Sequence, residues 1–190
     1  MKSKLAISMI VLLTIAAVVS LHPAIAQDNS SSNPAAVGSR VRSMVELGSV
    51  YTNIYDIAIT VLETARGKEA MDRLKASNPN TAAPTEGFEY VLARVKFEFK
   101  GRAVTDILGF NLGDDPLQWV ALSADLIEYP KASVSAPKPA LVGRIKPGAS
   151  MEGWVVFMVS RKDSKPVMVF DPDTGGATGR GRTLFFKLYQ

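Results

Sequence analysis

Cysteine is absent from this chain, and its one histidine is His22. Without cysteine there is no disulfide staple, no thiolate nucleophile and no thiolate metal site. His22 lies inside an N-terminal segment that reads as removable, so the processed chain has neither residue. Histidine-based nucleophilic catalysis and histidine metal centres are thereby excluded, and no serine–lysine motif replaces them. Blocks of like charge are also missing. The formal charge of +4 falls to +2 once Lys2 and Lys4 are lost, a balance that gives no electrostatic case for nucleic acid.

Long apolar runs are absent except at the start. Lys2 and Lys4 precede the apolar stretch Leu5 to Leu21, and Ala24-Ile25-Ala26 gives the small-x-small pattern of a signal-peptidase site. Residues 1–26 are therefore read as a signal peptide, with an uncleaved membrane anchor as the rival. With no cysteine at the cleavage site, lipid attachment there is excluded. The expected product is secreted or extracytoplasmic, periplasmic or cell-surface associated, with no membrane span after cleavage. The remaining 164 residues of the 190 suffice for one packed domain.

Residues 27–36 are polar and aperiodic and read as a flexible linker, leaving 37–190 as the domain. From Val37 onward, short apolar runs alternate with Gly, Pro, Asn and Asp, the texture of strands and turns. Strands are expected at Val41–Leu47, Ile54–Leu62, Phe88–Lys100, Leu117–Ser123, Asp125–Tyr129, Leu141–Ile145, Gly153–Ser160, Val167–Phe170 and Thr183–Tyr189. In Phe88–Lys100, the residues Val91, Ala93, Val95, Phe97 and Phe99 alternate with Arg94, Lys96, Glu98 and Lys100, so one face is buried and the other wet. The run Trp154 to Val159 is apolar on both faces and suits a central strand. Only Gly67 to Ala76 has helical spacing, with i,i+4 pairs Lys68–Asp72 and Glu69–Arg73. The expectation is an all-β, immunoglobulin-like antiparallel sandwich with one short helical insertion; a small closed barrel is the alternative.

Three segments taken together carry a family pattern: Arg66-Gly67-Lys68-Glu69-Ala70, Asn78-Pro79-Asn80, and Pro84-Thr85-Glu86-Gly87-Phe88-Glu89-Tyr90-Val91. Further on, Ile145-Lys146-Pro147-Gly148 leads to Glu152-Gly153-Trp154-Val155-Val156-Phe157. The combination resembles a telokin-like, immunoglobulin-like family of unknown function among exported bacterial and archaeal proteins, across roughly Gly48 to Leu188. Many such proteins are lipoproteins, from which this chain departs. The resemblance implies a fold, a compartment and binding roles at the cell surface; it transfers no catalytic residue.

Candidate site residues fall in three places. Asn78, Asn80, Glu86 and Glu89 sit in the motif, where Glu86 and Glu89 form the one carboxylate pair suited to acid–base work. The bland alternative is loop support, with Gly67 and Gly87 in backbone conformations other residues avoid and the carboxylates accepting loop amides. Asp171 and Asp173 could offer oxygen ligands to calcium or simply make a turn, and Asn111 to Asp115 is a second acidic turn. Arg180 and Arg182, interleaved with glycine, read as a mobile basic loop that could hold an anionic group. Trp119 and Trp154 read as core anchors. The function expected is a non-enzymatic binding module of the envelope or extracellular space, its partner an envelope or extracellular protein or glycan. The alternatives are a carboxylate-dependent hydrolase of an envelope glycan and a calcium-stabilised adhesion-type module.

Overall fold

The computed structural model describes residues 29–48, 51–113, 118–173 and 179–190. The signal segment, Asp114, Asp115, the expected strand start Leu117 and residues 174–178 lie outside them. Ten strands and one helix follow in the order β1 Arg40–Leu47, β2 Asn53–Arg66, α1 Lys68–Ser77, β3 Phe88–Gly101, β4 Phe110–Leu112, β5 Trp119–Leu122, β6 Gly143–Ile145, β7 Ser150–Ser160, β8 Val167–Phe170, β9 Gly179–Gly181 and β10 Leu184–Lys187. Among the described residues these strands pair antiparallel, and the isolated bridges Ala35↔Phe186 and Ala140↔Trp154 are parallel. A five-stranded sheet ordered β7-β3-β2-β1-β9 faces a three-stranded sheet β10-β8-β5 and the pair β4-β6. The molecule is an all-β sandwich with one helical insertion.

Alternation sets the layers. On the inner face of the large sheet, Ile57, Ile59 and Val61 of β2 meet Val91, Val95, Phe97 and Phe99 of β3, all buried. Phe97 stacks on Phe110 at 5.5 Å and lies edge-on to Phe170 at 5.7 Å, joining the sheets through aromatic contacts. Trp119 belongs to this inner core. The outer face divides in two. Near the start of β3 it is apolar, and Ala70 and Leu74 of α1 cover Tyr90, Leu92, Trp154 and Met158 in a second cluster. Arg73 fixes the helix there, bonded to Glu63 at 2.7 Å with its guanidinium 4.9 Å from the Trp154 ring centre. Past Arg94 the outer face turns charged and open to solvent.

Four expectations need correction. β7 lies at one end of the large sheet rather than at its centre; it is apolar on both faces because α1 covers one and the second sheet the other. Its free edge is shielded by residues 139–141, with Trp154 N–H donating to Pro139 O and Leu141 N–H to Trp154 O. Gly153 permits that approach, since a Cβ there would stand 2.4 Å from the Leu141 nitrogen. Residues 125–129 form no strand: Ser123 Oγ accepts the Ile127 amide and Ser123 N–H bonds Ile127 O, folding the chain back on itself.

The linker is the third correction, because from Asn29 onward the chain is held against β10. Buried Asn29 donates through Nδ2 to Phe185 O at 2.6 Å and accepts the Phe185 amide at 2.8 Å, while Ala35 bridges Phe186. Fourth, Arg180 sits in a strand, β9, paired with β1 through Glu46↔Arg180. Glycine explains it: a Cβ at Gly181 would lie 2.7 Å from Met44 O.

Candidate functional site

The candidate residues fall at two ends of the large sheet. At the helix end, Arg66 finishes β2, Phe88 starts β3 and Ser160 finishes β7. At the hairpin end, Leu47 pairs with both Asn53 and Gly179, and Gly101 pairs with Tyr55. The 14 residues of β3 separate the ends by about 43 Å at 3.3 Å per residue. Asn78 to Gly87 lies at the first end and Arg180 near the second, so the two loop surfaces expected from sequence are not joined.

At the helix end the motif residues support structure. Glu89 Oε1 accepts Arg66 Nε at 2.7 Å, and the same guanidinium donates to Ser160 O and, at 2.6 Å, to Asp163 O. Asp163 Oδ2 in turn accepts the Tyr129 hydroxyl at 2.8 Å. Burial, aided by that bond to Asp163, pushes the Tyr129 phenol up to about 12. This clasp ties together β2, β3, the β7–β8 turn and the segment after β5. Gly67, at φ +61°, takes a backbone conformation that side chains disfavour, and a Cβ there would stand 2.8 Å from Glu89 Oε2. Glu89 therefore takes a guanidinium where loop amides were expected. Glu86 is exposed, and its carboxylate makes no hydrogen bond or ion pair among the described residues. Asn78 Oδ1 accepts the Asn80 amide, and Asn78 N–H caps Leu74 O, so the Asn-Pro-Asn segment is the C-terminal turn of α1.

The acidic turn after β8 is similarly occupied. Asp171 Oδ1 accepts the Asp173 amide at 2.9 Å and Asp173 Oδ1 accepts the Gly181 amide at 2.6 Å, which holds β9 in place. No group of three His, Asp or Glu side chains is positioned to bind a metal ion among the described residues. A cavity of about 70 Å³ under β5 is lined by Trp119, Tyr129, Phe157 and Met158, well below the roughly 300 Å³ at which small-molecule sites begin. The buried Trp119 indole N–H has no acceptor among the described residues.

What sequence reading missed is the charged half of the outer sheet face. Strand register assembles it in rows: Glu152-Lys96-Thr60-Arg40, then Ser150-Glu98-Ala58-Arg42, then Lys100-Asp56-Met44, then Ile54-Glu46-Arg180. Arg94, Arg102 and Arg182 border it. Arg40 pairs with Glu98 and Arg102 with Asp56, both at 2.6 Å, and Arg94 with Glu152 at 3.4 Å. The Arg40 guanidinium holds the Glu98 carboxyl below the usual range, and the bond to Asp56 raises Arg102 further. Arg42, Lys96, Lys100 and Arg180 have no carboxylate within salt-bridge reach among the described residues.

A shallow groove of about 790 Å³ runs over Arg40, Arg42, Asp56, Glu98 and Lys100. A neighbouring one of about 430 Å³ spans Arg42, Met44, Ile54, Arg180 and Arg182. Arg180 and Arg182 thus share a groove with Arg42. The sequence signal was there: period-two cations in Arg40-Val41-Arg42 and in Arg94 to Lys100, whose shared face follows only from pairing register. No family model, curated protein or solved structure matches the chain. No described helix is long and apolar enough to cross a membrane.

Proposed function

We propose that the chain is an exported, non-enzymatic binding module of the envelope or extracellular space that engages an anionic partner through the open half of its outer sheet face. Export rests on the leader pattern of residues 1–26, and kinship with the telokin-like family rests on the motif residues alone. One observation carries the reading: four cations on a single exposed face, Arg42, Lys96, Lys100 and Arg180, lack carboxylate partners within salt-bridge reach among the described residues. Arg42 and Lys96 feel Glu98 through space without pairing to it; cations without a paired carboxylate on an accessible surface attract counter-charge, and arginine forks suit carboxylate, sulfate and phosphate oxygens. The carboxylate-hydrolase and calcium alternatives gain no comparable support, because Glu89 is committed to Arg66 and the Asp171–Asp173 pair to turn amides.

The test is titration of the chain from Gln27 with dextran sulfate and with uncharged dextran. Binding to the sulfated polymer alone, falling as salt rises and falling at least tenfold in Arg42→Glu/Lys100→Glu, is expected. Equal binding of both polymers, or binding indifferent to the double charge reversal, refutes the reading.

A further inference from the structure

Exposed apolar side chains are unevenly placed. Of the ten large hydrophobic residues exposed among the described residues, six gather at the hairpin end: Met44, Tyr51, Ile54, Val104, Ile107 and Leu108. Tyr51 is 88 % exposed, Val104 fully so and Ile107 80 %. Their proximity follows from the strand register. Tyr51 precedes β2 in the β1–β2 connection, closed by the Leu47↔Asn53 pair. Residues 102–109 continue from Gly101, which pairs with Tyr55. The two segments are also bonded across: Leu108 N–H donates to the Tyr55 hydroxyl at 3.2 Å, and the Arg102 guanidinium bonds Asp56 at 2.6 Å and Met44 Sδ at 2.7 Å. Asp106 Oδ2 accepts the amides of Arg102 and Ala103, fixing the base of the second segment.

This is where the cationic face ends. Arg102 belongs to the apolar segment itself, Lys100 precedes it on β3, and Arg42, Arg180 and Arg182 line the same groove as Met44 and Ile54. Exposed aliphatic and aromatic side chains at this end of the sheet, backed by lysine and arginine, match the layered chemistry of an anionic bilayer surface. Hydrocarbon enters the headgroup region while ammonium and guanidinium groups stay at the phosphates. A protein partner would call for a continuous packed patch, whereas the most exposed of these residues, Tyr51 on one connection and Val104 and Ile107 on another, are set apart from Met44 and Ile54 in the strands.

We infer that the hairpin end docks onto anionic phospholipid, with Tyr51, Val104 and Ile107 entering the interface and Arg42, Lys100, Arg102 and Arg180 meeting the headgroups. This rests on the preceding reading of the cationic face and names its partner as a membrane surface. It also supplies a lipid contact that requires no covalent anchor.

The experiment is cosedimentation of the chain from Gln27 with vesicles of phosphatidylcholine alone and of phosphatidylcholine with phosphatidylglycerol at roughly three to one. Dextran sulfate titration runs in parallel, and circular dichroism verifies that each variant folds. The expected result is binding to the anionic vesicles only. In Val104→Asp/Ile107→Asp, vesicle binding should fall at least tenfold while dextran sulfate binding is retained; Arg42→Glu/Lys100→Glu should lose both. Should the aspartate pair fail to fold, Ile107→Ser replaces it, with a fall of at least threefold expected. Polymer binding without vesicle binding overturns the membrane inference and leaves the anionic-face reading standing. Loss of both in the unmodified chain overturns both. Vesicle binding that survives the Val104 and Ile107 substitutions overturns the docking geometry.

Discussion

Replacing Glu89 with glutamine separates a structural carboxylate from a chemical one. Its ion pair with Arg66 is 2.7 Å long, with only 19 % of the Glu89 side chain and 28 % of the Arg66 side chain exposed. Glutamine keeps the shape and one acceptor oxygen but removes the charge. A hydrogen bond to a charged group contributes about 1.5–3 kcal/mol and a neutral one about 0.5–1.5, so the loss should be about 1–2 kcal/mol. For a domain of this size each kcal/mol moves the melting temperature by about 2–4 °C, which gives a fall of about 2–8 °C. Glu86→Gln, at an exposed carboxylate, should change stability by less than about 0.5 kcal/mol. Urea unfolding and thermal melts of both variants measure this. Arg66→Met alone and combined with Glu89→Gln should give a coupling energy of about 1 kcal/mol. Equal effects at Glu86 and Glu89, or a melting temperature raised by Glu89→Gln as for a carboxylate held under functional strain, would refute the clasp.

Three further predictions test other parts of the account. Tyr129 ionises at about 12 in the folded chain against about 10 unfolded. Its contribution is thus fully present below pH 10 and is lost as pH rises from 10 to 12, on the order of 2 kcal/mol; Tyr129→Phe should flatten that part of the stability–pH curve, and an unchanged slope contradicts it. Asn29→Ala removes both side-chain bonds to Phe185 and should cost about 1–3 kcal/mol, whereas a flexible spacer would lose nothing in urea unfolding. Gly153→Ala forces a Cβ against the backbone of Ala140 and Leu141; it should cost about 1–3 kcal/mol and speed amide exchange at Leu141 and Trp154, and normal exchange there contradicts the edge-shielding role.

Period-two patterning made most of the fold readable. The alternation in β3 and the run of β8 matched their strands, and the helix over Lys68–Ser77 formed with both expected ion pairs, Lys68–Asp72 at 2.5 Å and Glu69–Arg73 at 2.8 Å. Composition could not show that an apolar strand such as β7 owes its second buried face to a helix rather than to a central position. Nor could it foresee three-residue strands such as β4 and β9, which have too few residues for a period; β9 forms against the longer β1, and β4 against the equally short β6. The polar segment from Asn29 escaped notice because its anchoring is by hydrogen bonds to β10 and leaves no apolar signature. The candidate surface escaped for a related reason. Net charge sums over the chain, whereas the cationic face depends on the register that sets Arg42 beside Ala58 and Glu98 beside Ser150. Glu89 was identified as a motif residue, but its partner Arg66 is 23 positions away in sequence and is brought near only by the pairing of β2 with β3.

The most direct test of the recognition surface is a map of backbone amide shifts for the chain from Gln27 as dextran sulfate is added. Changes concentrated in Arg40 to Met44, Ile54 to Ala58, Lys96 to Arg102 and around Arg180, reversed by salt, are the predicted result. Changes centred on Asn78 to Gly87 or scattered over the small sheet, with the outer face of β1 to β3 silent, would contradict it.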